Sequence, residues 1–136
     1  MKGIYETFKS EPDFMILAHT CDPETDSVPR LKHYSDSLKI DSRKWVMVTG
    51  RKDSLYQLAR SAYLLDDPKN SVDKIEDQFI HTQFFALVDR DGKVRSQIYD
   101  GLKKDEMEKL KQDIQELLKE RSANSNFVNG IFNNNP

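Results

Sequence analysis

Residues 14–20 read FMILAHT, and this stretch decides how the rest of the sequence is interpreted. It is apolar on both faces, which is typical of a strand buried inside a sheet rather than one at its edge. Cys21, Asp22 and Pro23 follow at once and end the strand, because proline cannot donate a hydrogen bond to a neighbouring strand. The sequence therefore predicts a core strand whose carboxyl end carries the single cysteine of the chain.

The residues after this strand predict a helix and a second strand. Asp26 is the expected N-cap of a helix that ends at about Leu38, with Pro29 in its first turn. The apolar residues that would form its buried face are Val28, Leu31, Tyr34 and Leu38. Residues 45–49 (WVMVT) indicate a second short buried strand. A strand, a helix and a strand in this order favour a parallel pair joined by a right-handed crossover.

Three further helices and one hairpin complete the pattern. Apolar residues at helical spacing predict helices over residues 1–9, about 52–64 and about 103–121. The expected buried stripe of the last helix consists of Met107, Leu110, Ile114, Leu117 and Leu118. Between the second and third of these helices, residues 84–89 and 94–99 flank the pair Asp91-Gly92, which predicts an antiparallel β-hairpin.

Length and composition set broad limits on function. The 136 residues suit one domain, which we place at residues 1–121, followed by a polar and flexible tail at 122–136. The 21 basic and 23 acidic residues are interspersed, with a net charge of −2 and no basic block, which argues against nucleic-acid binding. No apolar stretch is long enough to span a bilayer, and residues 1–11 do not have the pattern of a signal peptide.

Several short motifs then point to one family. They are Asp22-Pro23-Glu24-Thr25-Asp26, Leu31-Lys32-His33-Tyr34, Trp45 with Thr49-Gly50, Phe79-Ile80-His81-Thr82, Leu87-Val88-Asp89 with Asp91-Gly92, and Tyr99-Asp100-Gly101. In this order and spacing they resemble the SCO/SenC family of thioredoxin-like copper proteins over about residues 1–118. The resemblance implies an α/β fold in which a thioredoxin-like mixed sheet is flanked by helices.

The resemblance also implies a copper site. In the family, two thiolates from a Cys-x-x-x-Cys-Pro segment and a distant histidine bind copper, and His81 stands where that histidine is expected. By this resemblance, Met1 would correspond to a point downstream of the two cysteines. We therefore expect a truncated family member that lacks the first core strand and the Cys-x-x-x-Cys segment, and that binds copper poorly.

Cys21 allows two interpretations. It lies at the carboxyl end of a strand, where open α/β sheets place their sites, and His19 lies two residues earlier on the same face. A substitute metal site built from Cys21, His19 and His81 is one hypothesis. The favoured alternative is that Cys21 is a small buried hydrophobic residue, as free cysteines usually are.

Asp22 and Asp26 also have two interpretations. The resemblance would place them near the metal site as supporting residues. Structural roles are favoured, because they explain both residues without a metal. Asp22 before proline is expected to shape a turn, and Asp26 is the expected helix cap.

The resemblance implies a role in copper delivery to cytochrome c oxidase and in thiol–disulfide chemistry, outside the cytoplasm or anchored to a membrane. Its partners would be an oxidase subunit or another copper or thiol protein, and we expect no enzymatic activity beyond thiol–disulfide exchange. Two alternatives stay open: a thioredoxin-superfamily thiol oxidoreductase or peroxidase that uses Cys21, and a redox-inactive binding module of the same fold. An incomplete sheet also predicts self-association through an exposed edge, at residues 14–20 or at the hairpin.

Overall fold

The computed structural model describes residues 1–63 and 83–121. They belong to two compact units, Met1–Phe84 and Phe85–Pro136. The predicted flexible tail at 122–136 and the position of His81 lie outside the described residues.

The first unit contains the predicted strand–helix–strand crossover. Its elements are α1 (Lys2–Phe8), β1 (Ile16–His19), α2 (Val28–Ser37), β2 (Trp45–Val48) and α3 (Lys52–Gln57), followed by a π-helical turn (Leu58–Ala62). The strands β1 and β2 are parallel, with Ile16 opposite Trp45 and His19 opposite Val48. The predicted parallel pair is therefore confirmed.

The core of this unit lies between α1 and the two strands. Tyr5, Ile16 and Trp45 are buried against one another, and the rings of Tyr5 and Trp45 are 5.9 Å apart between centroids. Residues packed around this cluster are Met1, Phe14, Ala18, Leu38, Ile40 and Met47. A hydrogen bond of 2.9 Å from the backbone N–H of Asp41 to Tyr5 Oη ties α1 to the start of β2. Because α1 buries three apolar side chains here, tertiary packing stabilises a helix too short to be stable alone.

Two expectations about burial in this unit are wrong. The strand β1 is not buried on both faces, because Leu17 is 44% exposed while Ile16 is buried. Side chains alternate along a strand, and the face that carries Leu17 is only partly covered. The expected buried stripe of α2 is not buried either, since Val28 is 67% exposed and Tyr34 is 54% exposed.

The hairpin and the final helix appear as predicted. Strands β3 (Phe84–Val88) and β4 (Val94–Asp100) pair with each other, and α4 (Lys104–Lys119) follows. In the turn, Asp89 Oδ1 accepts hydrogen bonds of 2.9 Å from the N–H groups of Asp91 and Lys93. Gly92 has φ of +78°, a conformation that glycine adopts without steric cost. This turn chemistry is local, which is why the sequence predicts it well.

The core of the second unit lies under α4. Leu110 and Ile114 are buried, and Tyr99 of β4 is 1% exposed. The other members of the predicted stripe, Met107, Leu117 and Leu118, are half-buried. The amphipathic stripe of this helix is therefore confirmed.

Candidate functional site

The loop that follows β1 is closed by one buried hydroxyl group. Thr20 is 9% exposed, and its Oγ1 donates a hydrogen bond of 2.5 Å to Asp26 Oδ2. The same oxygen accepts a hydrogen bond of 3.0 Å from the backbone N–H of Asp22. Thr20 therefore joins the strand end to both ends of the Asp22–Asp26 motif. A threonine at the end of an apolar strand is only a weak signal for this role.

Asp22 shapes the turn inside this loop. Its carbonyl oxygen accepts hydrogen bonds from the N–H groups of Thr25 (3.2 Å) and Asp26 (2.8 Å). Its carboxylate accepts a further bond of 3.3 Å from the N–H of Thr25. Hydrogen bonding from Thr25, with smaller effects from the charges of Lys52 and Arg30, holds the pKa of Asp22 below its ordinary value. The carboxylate thus stays charged at neutral pH and forms the kind of side-chain turn that aspartate favours before proline.

Asp26 does not cap α2, contrary to expectation. The N-cap is Ser27, whose hydroxyl accepts a hydrogen bond of 3.4 Å from the N–H of Arg30. The carboxylate of Asp26 is already bound to Thr20, so the next residue along the chain takes the capping position. Asp26 therefore has a structural role, but the role is loop closure rather than capping.

Cys21 lies on this loop as a free, half-buried thiol. Its carbonyl oxygen accepts a hydrogen bond of 3.4 Å from Tyr56 Oη, which fixes the backbone at the strand end. The residue lines a cavity of about 460 Å³ with Arg30 and Tyr34 of α2 and Met47 of β2. Cys21 is thus less buried than the expected core residue, and the cavity reaches it.

His19 lies beside Cys21 on the same cavity and against the π-helical turn. Its ring centroid is 5.5 Å from that of Tyr63, directly after the turn. Its Nε2 is buried and has no hydrogen-bond partner among the residues that the structure describes. Burial lowers the pKa of His19, so the imidazole is neutral at pH 7, the form that binds metals.

The structure thus brings three of the five predicted site residues to one cavity. His19, Cys21 and Asp26 line it, whereas Asp22 shapes the loop beside it. The position of His81 is not among the described residues. Within residues 1–63 and 83–121, no group of three or more histidine, cysteine, aspartate or glutamate side chains could hold a metal ion. No copper chemistry is therefore derived from the described residues.

The Tyr99-Asp100 motif lies on β4 and has structural contacts. Tyr99 Oη donates a hydrogen bond of 2.7 Å to Asp113 Oδ2 on α4. The N–H of Asp100 donates to Glu106 Oε2 at 2.6 Å, at the start of the same helix. Burial, followed by the hydrogen bond to Asp113, raises the pKa of Tyr99, so its hydroxyl remains a donor at neutral pH. These contacts attach α4 to the hairpin.

A family model described as SCO1/SenC matches residues 1–119. The chain belongs to the SCO1/SenC family. This membership supports a general copper-chaperone or thioredoxin-like role. Among the curated proteins, none matches the chain.

A solved structure of a protein from this family has a similar fold. The chain is similar to a SCO1/SenC family lipoprotein from Bacillus anthracis str. Ames, with a TM-score of 0.66 and 24% sequence identity. The match covers 86% of this chain and 68% of that chain. At this identity the likeness shows the fold, and the predicted thioredoxin-like α/β class is confirmed.

In the part of the chain that the structure describes, none of the helices has the length and apolar character needed to cross a bilayer.

Proposed function

We propose that this SCO1/SenC protein acts in copper delivery to cytochrome c oxidase and in thiol–disulfide chemistry, and that this chain alone binds copper weakly. The observation that carries the proposal is the family match over residues 1–119 in a sequence with a single cysteine. Family membership supports the proposed role in copper delivery. The single cysteine supports the proposed weak binding of copper by this chain.

Ligand chemistry explains the expected weakness. Copper(I) is a soft ion that prefers thiolate ligands, and the family pairs two of them with one imidazole. This chain has one thiol, Cys21, which follows β1 rather than lying in a Cys-x-x-x-Cys-Pro segment. We propose His81 as the family imidazole and assign no ligand role to Asp22 or Asp26, whose hydrogen bonds within the loop support structural roles.

The ligand assignment can be tested even when binding is weak. The chain has three histidines, so their ring resonances can be followed separately by NMR during titration with copper(I) under reducing conditions. We expect the His81 resonances to shift first, while those of His33, an exposed residue of α2, stay unchanged. A first shift at His19 would instead support the substitute site with Cys21, and His81→Ala and His19→Ala variants separate the two cases.

A thiol oxidoreductase or peroxidase that uses Cys21 is the second candidate. The observation in its favour is that Cys21 is half-buried and lines a cavity, so a small oxidant can approach it. Peroxide turnover with a thiol reductant distinguishes this function from copper delivery. Turnover by the wild type that is lost in Cys21→Ser would favour it, whereas equal rates would exclude it.

A redox-inactive binding module remains the third candidate. The double variant Cys21→Ser, His81→Ala removes both residues on which the proposed chemistry could depend. Unchanged binding of a purified oxidase copper subunit by this variant would favour the binding module. Loss of copper-dependent binding would favour copper delivery.

The partners and location proposed for the chain follow from the family. We propose an oxidase subunit or another copper or thiol protein as the partner, and a location outside the cytoplasm, in keeping with the lipoprotein that shares its fold. We also propose that the chain associates with itself through a strand edge, at residues 14–20 or at the hairpin.

A further inference from the structure

The side chain of Lys44 ends among three backbone carbonyl groups. Its Nζ donates hydrogen bonds of 3.2 Å to the carbonyl oxygens of Pro12 and Phe14, and a third hydrogen bond to that of Glu11. An ammonium group has three N–H donors and no acceptor. The donors of Lys44 are therefore matched in number by carbonyl oxygens from one short segment, the turn between α1 and β1.

Backbone hydrogen bonds hold both sides of this contact in place. The carbonyl of Lys44 accepts a hydrogen bond of 2.8 Å from the N–H of Ile16, which fixes the lysine at the start of β2. In the turn, the N–H of Phe14 donates to the carbonyl of Glu11 at 3.3 Å. Pro12 takes the second position of this turn, which proline favours. The carbonyl groups therefore have a frame that does not depend on the Lys44 side chain.

Converging carbonyl oxygens are typical ligands of monovalent cations, because they replace the hydration shell of an ion such as potassium. The same turn carries two acidic residues, Glu11 and Asp13, whose charges favour a cation. We propose that residues 11–14 form a site for a monovalent cation, and that the Lys44 ammonium occupies it as an ion supplied by the chain itself. The contact ties the turn before β1 to the start of β2.

Lys2 makes a simpler contact and provides a matched control. Its Nζ donates a hydrogen bond of 3.1 Å to one carbonyl, that of Leu38 at the end of α2. Lysine side chains commonly bind the last carbonyl groups of a helix in this way. Both lysines thus join two elements of the first unit. They differ in the number of carbonyl groups around the ammonium, which is the feature on which the proposal depends.

Thermal unfolding in different chloride salts tests the site. Lys44→Ala empties it, so the Tm should fall by about 5–10 °C in choline chloride, whose cation has no N–H donor. Replacing choline with ammonium or potassium at about 0.5 M and equal ionic strength should restore roughly a third of this loss, because the small cation binds only the folded chain. The wild-type Tm should be the same with each of these cations, since its site is already filled.

Lys2→Ala is the control in the same salts. Its Tm should fall by about 2 °C or less, because one hydrogen bond to a single carbonyl is lost, and neither ammonium nor potassium should restore it. Equal recovery of the two variants would overturn the proposal. So would a Lys44→Ala variant that is as stable as the wild type, or one that is destabilised and recovers in none of the salts.

Chemical labelling tests the wild-type chain and decides the question if Lys44→Ala does not fold. Brief reaction of the folded chain with acetic anhydride, measured by mass spectrometry, should acetylate Lys44 several-fold more slowly than Lys2. The reason is that three carbonyl groups surround the Lys44 ammonium and one contacts that of Lys2. Unfolding in urea should abolish the difference, and equal rates in the folded chain would overturn the proposal. Neither experiment involves copper, so this proposal and the proposed function can fail independently.

Discussion

Thr20 and Asp26 are joined by a hydrogen bond of 2.5 Å across the loop that carries Cys21. The same threonine hydroxyl also accepts the backbone N–H of Asp22. The Asp22–Asp26 motif is therefore held by a buried side chain that directly follows the preceding strand. These two hydrogen bonds assign Asp22 and Asp26 to closure of the loop.

Replacing Thr20 with valine should destabilise the fold by about 1–3 kcal/mol. Valine fills the same volume but leaves the Asp26 carboxylate and the Asp22 N–H without their partner. Urea unfolding measures the loss, and Thr20→Ser is the control because it keeps the hydroxyl. Equal stability of the valine variant and the wild type would show that the bond contributes nothing.

The loss of unfolding free energy caused by Asp26→Ala should not add fully to the loss caused by Thr20→Val. The two residues share one hydrogen bond, so the double variant should be more stable than the sum of the single losses predicts, by about 0.5–3 kcal/mol. A double-mutant cycle from the same urea unfolding curves gives this coupling. Simple additivity would contradict a direct interaction.

Ser27→Ala should shorten or loosen the start of α2. We expect the free energy of unfolding to fall by about 0.5–1 kcal/mol. This is at the low end of the effects measured for N-caps, because the hydrogen bond from the N–H of Arg30 to the Ser27 hydroxyl is 3.4 Å long. Hydrogen exchange at the first turn of α2 is the measurement. If Asp26→Ala increased the exchange rate at this turn more than Ser27→Ala does, Asp26 rather than Ser27 would be the N-cap.

Tyr99→Phe should cost about 1–3 kcal/mol of stability. The tyrosine is 1% exposed and its hydroxyl donates to the Asp113 carboxylate, so phenylalanine removes this hydrogen bond and leaves the carboxylate only the one from Lys109. Thermal or urea unfolding measures the loss. Tyr34→Phe is the matched control, since Tyr34 is 54% exposed and should tolerate the change.

The Tyr99–Asp113 contact should also depend on pH. The hydrogen bond from Lys109, followed by that from Tyr99, holds the pKa of Asp113 below its ordinary value. A lowered pKa in the folded state means that the stabilisation is present above the unfolded value and is lost as pH falls through the folded value. The stability difference between the wild type and Tyr99→Phe should therefore shrink below about pH 4. A difference that stays constant from pH 7 to about pH 2 would contradict this account.

Much of the fold could be predicted because its signals are local. The Asp91-Gly92 turn fixes the hairpin through its own backbone, and the stripe around Leu110 and Ile114 fixes the buried face of α4. The parallel pair of β1 and β2 followed from two short apolar runs and the helix between them. Each of these elements is indicated by residues that lie close together in the sequence.

The predictions that failed depend on side-chain contacts that the sequence pattern does not show. Asp26 was a plausible cap from its position, but Thr20, which lies before the motif, engages its carboxylate. The predicted helix at 52–64 becomes α3 (Lys52–Gln57) and a π-helical turn, which is followed by Tyr63 against His19. No spacing rule identifies such a contact before the strand and the helix are placed together.

The most direct test of the central claim is a competition titration of the reduced chain with copper(I) against a chromophoric chelator. The chelator should retain the copper, because the sequence offers one thiol and one family histidine, Cys21 and His81, where the family uses three ligands. Tight binding of one copper per chain, abolished by His81→Ala and unchanged in His33→Ala, would contradict it.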